Sequence, residues 1–153
     1  MKLELRQLTS LQEALRLAPR LDASAAGFHA QLTDEPYPQG AAARVLTERF
    51  EEPQTVLVGA FPPGQDEPVG LCLVAPFVEP LTAERLPMVL VLQVEPQARH
   101  RGVARALIEE AQAVLASRGL RVLAARAVHN DDALISMGER WGFVRAWELM
   151  LFE

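Results

Sequence analysis

Residues 88 to 117 constrain the fold of this chain most. Met88-Val89-Leu90-Val91-Leu92-Gln93-Val94 is a near-continuous apolar run, the pattern of a central strand covered on both faces. A polar loop follows from Glu95. From Val103 to Ser117, Leu107, Ala111, Val114 and Leu115 then recur at helical spacing. Gly119 stands where a C′ residue closes such a helix. A buried strand thus runs through a short loop directly into an amphipathic helix.

The other elements follow from shorter signals. Residues 2 to 7 alternate polar and apolar, as a first strand does. Ser10 and Glu13 have capping-box spacing, which predicts a helix to about Ala18, interrupted at Pro19. Leu21 to Leu32 and Ala41 to Phe50 read as further helical pieces, separated by a loop at Pro36, Pro38 and Gly40. Thr55 to Phe61 and Val69 to Phe77, joined by the turn Pro62-Pro63-Gly64-Gln65-Asp66, predict an antiparallel hairpin. Arg121 to Val128 reads as a strand. Asn130-Asp131-Asp132 can cap a helix to about Trp141, Gly142 ends it, and Phe143 to Phe152 reads as the last strand. The second half alternates strand and helix, which predicts parallel pairing beside the hairpin.

The chain has 153 residues with no internal repeat or linker, which fits one domain over 1–153. No apolar run reaches the ~20 residues that span a bilayer, and the alternating N-terminus does not resemble a signal peptide. The expectation is a soluble cytoplasmic protein. Cys72 is the one cysteine, so there is neither an intramolecular disulfide nor a metal-type Cys/His spacing. It reads as a small core residue. A net charge of −5 argues against nucleic acid as a partner. Lys2 is the one lysine, so anion binding must rely on arginine and backbone groups.

The chemistry concentrates where the apolar strand meets the long helix. A helix N-terminus offers unpaired N–H groups and a partial positive charge, which suit a phosphate. Gly102 and Ala104 let an anion approach the backbone, and Arg99, His100, Arg101 and Arg105 add positive charge. A strand-to-helix turn with solvated arginines is the plain alternative. Arg99-His100-Arg101-Gly102-Val103-Ala104 also satisfies Gln/Arg-x-x-Gly-x-Gly/Ala, the pyrophosphate motif of the GNAT N-acetyltransferase superfamily. With Val94-Glu95-Pro96 before it, Asn130 after it and Trp141-Gly142-Phe143 near the end, the chain resembles that superfamily over about residues 54–152.

The resemblance implies an α/β fold with a mixed, mostly antiparallel sheet of about six or seven strands, about four helices and a central splayed parallel pair. It implies acetyl-CoA as acyl donor. The backbone of Leu92, Gln93 and Val94 would pair with the pantetheine arm. The amides of Arg99, His100, Arg101, Gly102, Val103 and Ala104 would hold the pyrophosphate, and Asn130 would touch the arm. It implies direct attack by a primary amine of a small-molecule or peptide acceptor, with a homodimer as a possible assembly. Many members carry a tyrosine a few residues before Gly-Phe. Here that position falls at about Gly138, beside Met137. Either solvent assists the thiolate, or Ser136 or Tyr37 substitutes, or the chain is a CoA-binding module with little turnover. Glu79 and Glu84 are candidate bases, each also readable as a solvated carboxylate. Asp34 and Glu35, near Tyr37, are the sequence-based candidates for selecting a cationic amine.

Overall fold

The computed structural model describes residues 2–147, 149 and 150. Five strands form one sheet in the order β1 (Glu4–Gln7), β2 (Val56–Phe61), β3 (Gly70–Val78), β4 (Arg85–Val94) and β5 (Ala124–Ala125). The first three pairings are antiparallel, and β4 with β5 is parallel. Five α-helices accompany them: α1 (Leu11–Arg16), α2 (Ala18–Leu32), α3 (Ala41–Arg49), α4 (Val103–Ser117) and α5 (Asp132–Arg140).

The sheet separates two apolar cores. On one face α1, α2 and α3 bury Leu17, Leu21 and Leu46 against Leu57, Phe61, Leu71, Leu73 and Val91. On the other, α4 buries Val103, Leu107, Ile108, Ala111 and Leu115 against Val56, Val58, Cys72, Val74 and Val89. Leu107, Ala111 and Leu115 are buried as the spacing predicts, Val114 is half-buried, and Val103 and Ile108 join the stripe; each buried Val, Leu or Ile contributes roughly 1.5–3 kcal/mol by leaving water. Gly70 lets α4 approach closely: a Cβ there would lie 3.0 Å from Leu107 Cδ1 and 3.1 Å from Val103 Cγ1.

Several expectations need correction. Pro19 does not end a helix; it sits in the first turn of α2, where its missing N–H costs nothing. The break falls at Leu17, so there are five α-helices among the described residues rather than about four. There are five strands among the described residues rather than six or seven. The strand expected over 121–128 shrinks to Ala124–Ala125, because pairing to β4 covers only Met88↔Ala124 and Val89↔Ala125. Of the last expected strand, residues 143–147, 149 and 150 carry no strand, and 148, 151 and 152 lie outside the described residues. Asp131, not Asn130, caps α5: its side chain accepts from the Leu134 N–H.

The apolar run 88–94 also differs from expectation. Met88, Val89 and Val91 are buried, but Leu90, Leu92, Gln93 and Val94 are only half-buried. The strand buried at every position is β2. The cause is the short β5: past Val89, β4 has a strand on one side only.

Candidate acetyl-donor site

The open half of β4 and the start of α4 form one continuous feature. In the β3–β4 register Leu73 faces Val91 and Val74 faces Val89, so Leu90 has no partner. This is a β-bulge, two residues opposite one, which bends the strand. Its signature is in the packing: Leu90 and Val91, adjacent in sequence, both pack on the α2 face, while Val89, Leu92 and Val94 pack on the α4 face. The bulge lies where β5 stops. From Leu90 to Val94 the outer edge of β4 therefore keeps backbone groups without a strand partner among the described residues.

That edge leads through the short 3₁₀ turn Pro96–Ala98 into the loop before α4. His100 and Gly102 both have positive φ, 62° and 76°. A left-handed residue beside others of ordinary conformation gathers successive N–H groups into an anion-binding concavity. Gly102 is the N-cap of α4 and no side chain caps the helix, so its first N–H groups point outward unpaired. A Cβ at Gly102 would meet nothing within 4 Å. Glycine is thus required there by its φ and not by crowding from the protein. Arg99 ties the loop to the strand, its Nε donating to the Val94 carbonyl at 3.1 Å. Arg101 is exposed beside the cradle. Arg105 donates to Glu109 at 2.9 Å, so its charge is already partnered. Val103 is buried in the α4 core and offers only its backbone, and Ala104 is half-buried.

An extended, amide-bearing arm that ends in a diphosphate fits these residues. The unpaired β4 edge would accept the arm, and the N–H cradle over 99–104 the phosphates. Leu92 and Val94 turn their side chains toward α4, leaving their backbone edge free. The Gln93 side chain is used otherwise. It and Glu95 receive Arg20 Nη2 at 3.1 and 2.7 Å, and Arg20 Nη1 donates to Pro68 O at 2.7 Å. This half-buried cluster straps α2 to the end of β4. Sequence reasoning passed over Arg20, because its partners lie about fifty to seventy-five residues away. Asn130 is exposed at the turn before α5.

The side chains considered for proton transfer do not converge on this edge. Glu79 closes the β3–β4 turn, accepting from the N–H groups of Leu81 and Thr82 at 2.8 Å. Those contacts, Thr82 foremost, hold it below the usual carboxylate range. Glu84 is exposed in the same turn, roughly 20 Å along the strand from Leu90. Ser136 is exposed on α5. Tyr37, in the loop between α2 and α3, donates its hydroxyl to Asp22 Oδ1 at 2.7 Å, and that oxygen also accepts from the Ala42 N–H at 2.9 Å. Burial and the Asp22 carboxylate push the phenol up to about 12. It therefore holds its proton firmly and already spends it on Asp22. Burial likewise pushes the Cys72 thiol up to about 12, in keeping with a core residue. An open groove of about 360 Å³, lined in part by Thr9, Phe50, Glu52 and Arg118, is at the far end of α4. It lies roughly 22 Å from the loop by helix length.

No curated protein sequence matches the chain. Among solved structures, the ribosomal-protein-alanine N-acetyltransferase from Brucella melitensis biovar Abortus 2308 is similar at 23% identity and TM-score 0.67, over 100% of this chain and 99% of that one. An aminoglycoside acetyltransferase from an uncultured soil metagenomic sample is similar at 25% identity and TM-score 0.66, over 100% and 97%. The aminoglycoside N-acetyltransferase AAC(6')-Iy in complex with CoA is similar at 18% identity and TM-score 0.69, over 99% and 94%. These likenesses agree with the fold: a mixed sheet, mostly antiparallel, with one parallel pair that parts. The sequence model of the acetyltransferase (GNAT) family matches residues 14–143. That span holds the bulged strand, the N–H cradle and α4, and the chain belongs to the GNAT acetyltransferase family.

Proposed function

We propose that the chain is an N-acetyltransferase that passes an acetyl group from acetyl-CoA to a primary amine. The observation that carries this reading is the unpaired edge of β4 from Leu90 to Val94, leading into the uncapped start of α4. When bound, acetyl-CoA supplies an activated thioester. The chain's own part is to hold and orient. Backbone groups of Leu92, Gln93 and Val94 pair with the pantetheine amides as a further strand would. N–H groups from Arg99 to Ala104 take the diphosphate. Asn130, exposed before α5, would touch the arm. An N–H near the Leu90 bulge polarises the thioester carbonyl, and holding the two reactants together contributes the rest. The amine nitrogen bonds to the acetyl carbon, the C–S bond breaks, and the proton lost by nitrogen balances the one taken up by sulfur. With Tyr37 bound to Asp22 and the Glu79 carboxylate capping a turn, water carries those protons.

The missing side-chain acid supports a second reading, a CoA-binding module with little turnover. Two measurements separate them. Calorimetry with acetyl-CoA tests the site: an absence of affinity on folded protein defeats both readings. Release of CoA thiol in the presence of a panel of primary amines, read with a thiol reagent, tests the chemistry. Buried Cys72 gives no background in the native protein. Amine-dependent release supports the transferase; binding with no release beyond hydrolysis supports the module.

A further inference from the structure

We propose that Arg126 selects the acceptor by binding a carboxylate carried by the amine substrate. The inference rests on the acetyl-transfer reading above. Arg126 is the first residue after β5, where the chain leaves β4 and the splay opens. Leu123 packs on the α4 face. Three positions on, the alternation of an extended chain turns Arg126 to the opposite face. There its guanidinium stacks on the ring of Phe28 in α2, 4.5 Å from the centroid. Leu90 and Val91 at the bulge pack on that same face, so on the acetyl-transfer reading an amine entering from the α2 side would pass Arg126.

Stacking leaves the guanidinium fork rigid and its N–H edge uncommitted. Arg126 is exposed, and none of the ion pairs among the described residues includes it. A planar cation held on an aromatic ring, with its fork open and no carboxylate partner, can take a carboxylate in bidentate fashion. The nearby charges point the same way. Those acting on the Tyr37 phenol are Asp22, Arg44 and Arg126, and Asp22 Oδ1 already accepts from Tyr37 and the Ala42 N–H. Asp34 and Glu35 are exposed in the α2–α3 loop and are not among those charges. Two arginines thus face one already engaged carboxylate around Tyr37, which suits an amino-acid-like acceptor.

The test uses the full chain loaded with CoA and, as probes, acetylated product analogues. N-acetylglycine and N-acetylglutamate carry a carboxylate; N-acetylputrescine carries an ammonium. Calorimetry is expected to show at least about tenfold tighter binding of the carboxylates. Arg126→Gln abolishes that preference and Arg126→Lys restores part of it, while CoA affinity and Tm stay unchanged. Should Arg126→Gln fold poorly, Phe28→Leu removes the stack instead and weakens the preference. A tighter fit for N-acetylputrescine, no binding of either carboxylate, or a preference that survives Arg126→Gln overturns the proposal. Loss of CoA binding in the unaltered protein would instead sink the underlying acetyl-transfer reading.

Discussion

Strands β2 and β4 are both apolar, yet they end in different environments. β2 is buried at all six positions, between β1 and β3 and between two helical layers. β4 is buried at Pro87, Met88, Val89 and Val91 and half-buried from Leu92 to Val94, because its outer neighbour pairs with only two of its residues. Apolar character serves opposite ends in the two strands. In β2 it builds stability. In the second half of β4 it lines a gap whose backbone groups remain available to a ligand. A region that binds must leave part of its bonding capacity unspent.

The contrast can be broken by mutation. Leu57→Ala in β2 is expected to cost about 3 kcal/mol and lower Tm by several degrees. Leu92→Ala is expected to cost less than about 1.5 kcal/mol, since Leu92 is only half-buried, while weakening acetyl-CoA binding. Equal losses of Tm in the two variants would show that β4 is as closed as β2. Next in size is Gly70→Val, which places a branched side chain against Leu107, Val103 and the Gln93 carbonyl. Overpacking of this kind costs about 1–3 kcal/mol, and it lifts the start of α4 from β3. Both Tm and acetyl-CoA affinity should fall, linking the two regions.

Gly102→Val separates affinity from stability. The left-handed φ makes the substitution cost about 1–2 kcal/mol, but the new side chain meets open space on the protein side. Calorimetry should therefore find acetyl-CoA affinity reduced by about tenfold or more, for a small change in Tm. Retained affinity would remove the cradle from the site.

Tyr37 gives a pH test with a clean readout, since it is the one tyrosine in the chain. Its folded value, about 12, lies above the ordinary 10.0. The neutral phenol therefore stabilises the fold fully below the unfolded value, and that contribution is lost as pH rises from 10 through 12. Absorbance at 295 nm should titrate near 12 in the native protein, and Asp22→Asn should lower that midpoint. A midpoint near 10 would mean that Tyr37 is free to serve elsewhere. The smallest effect is expected for Arg105→Gln. Its exposed pair with Glu109 is worth about 0.3–0.5 kcal/mol, so acetyl-CoA affinity should barely move. A large loss would return Arg105 to the phosphate site.

How far the sequence could be read follows the range of each interaction. The Arg99–Ala104 loop, the α4 stripe, the capping Ser10 and the helix-ending glycines at 119 and 142 are local, and each appears where its pattern predicts. Pro19 misled because the same residue stops one helix and starts the next, and only the position of Leu17 decides which. Arg126 lay inside a segment read as an ordinary strand. Alternation alone cannot say which face of a strand will meet Phe28, nearly one hundred residues earlier.

By itself, then, the sequence determined most of the elements and the glycine turn that opens α4, because caps, periods and glycine conformations depend on neighbours within a few residues. Tertiary structure decided the two-residue β4–β5 pairing, the bulge at Leu90, the strap from Arg20 and the stack of Arg126. Each depends on register between distant segments. A shift of one residue in register exchanges the faces of a strand, and nothing local records which register the packed cores will choose.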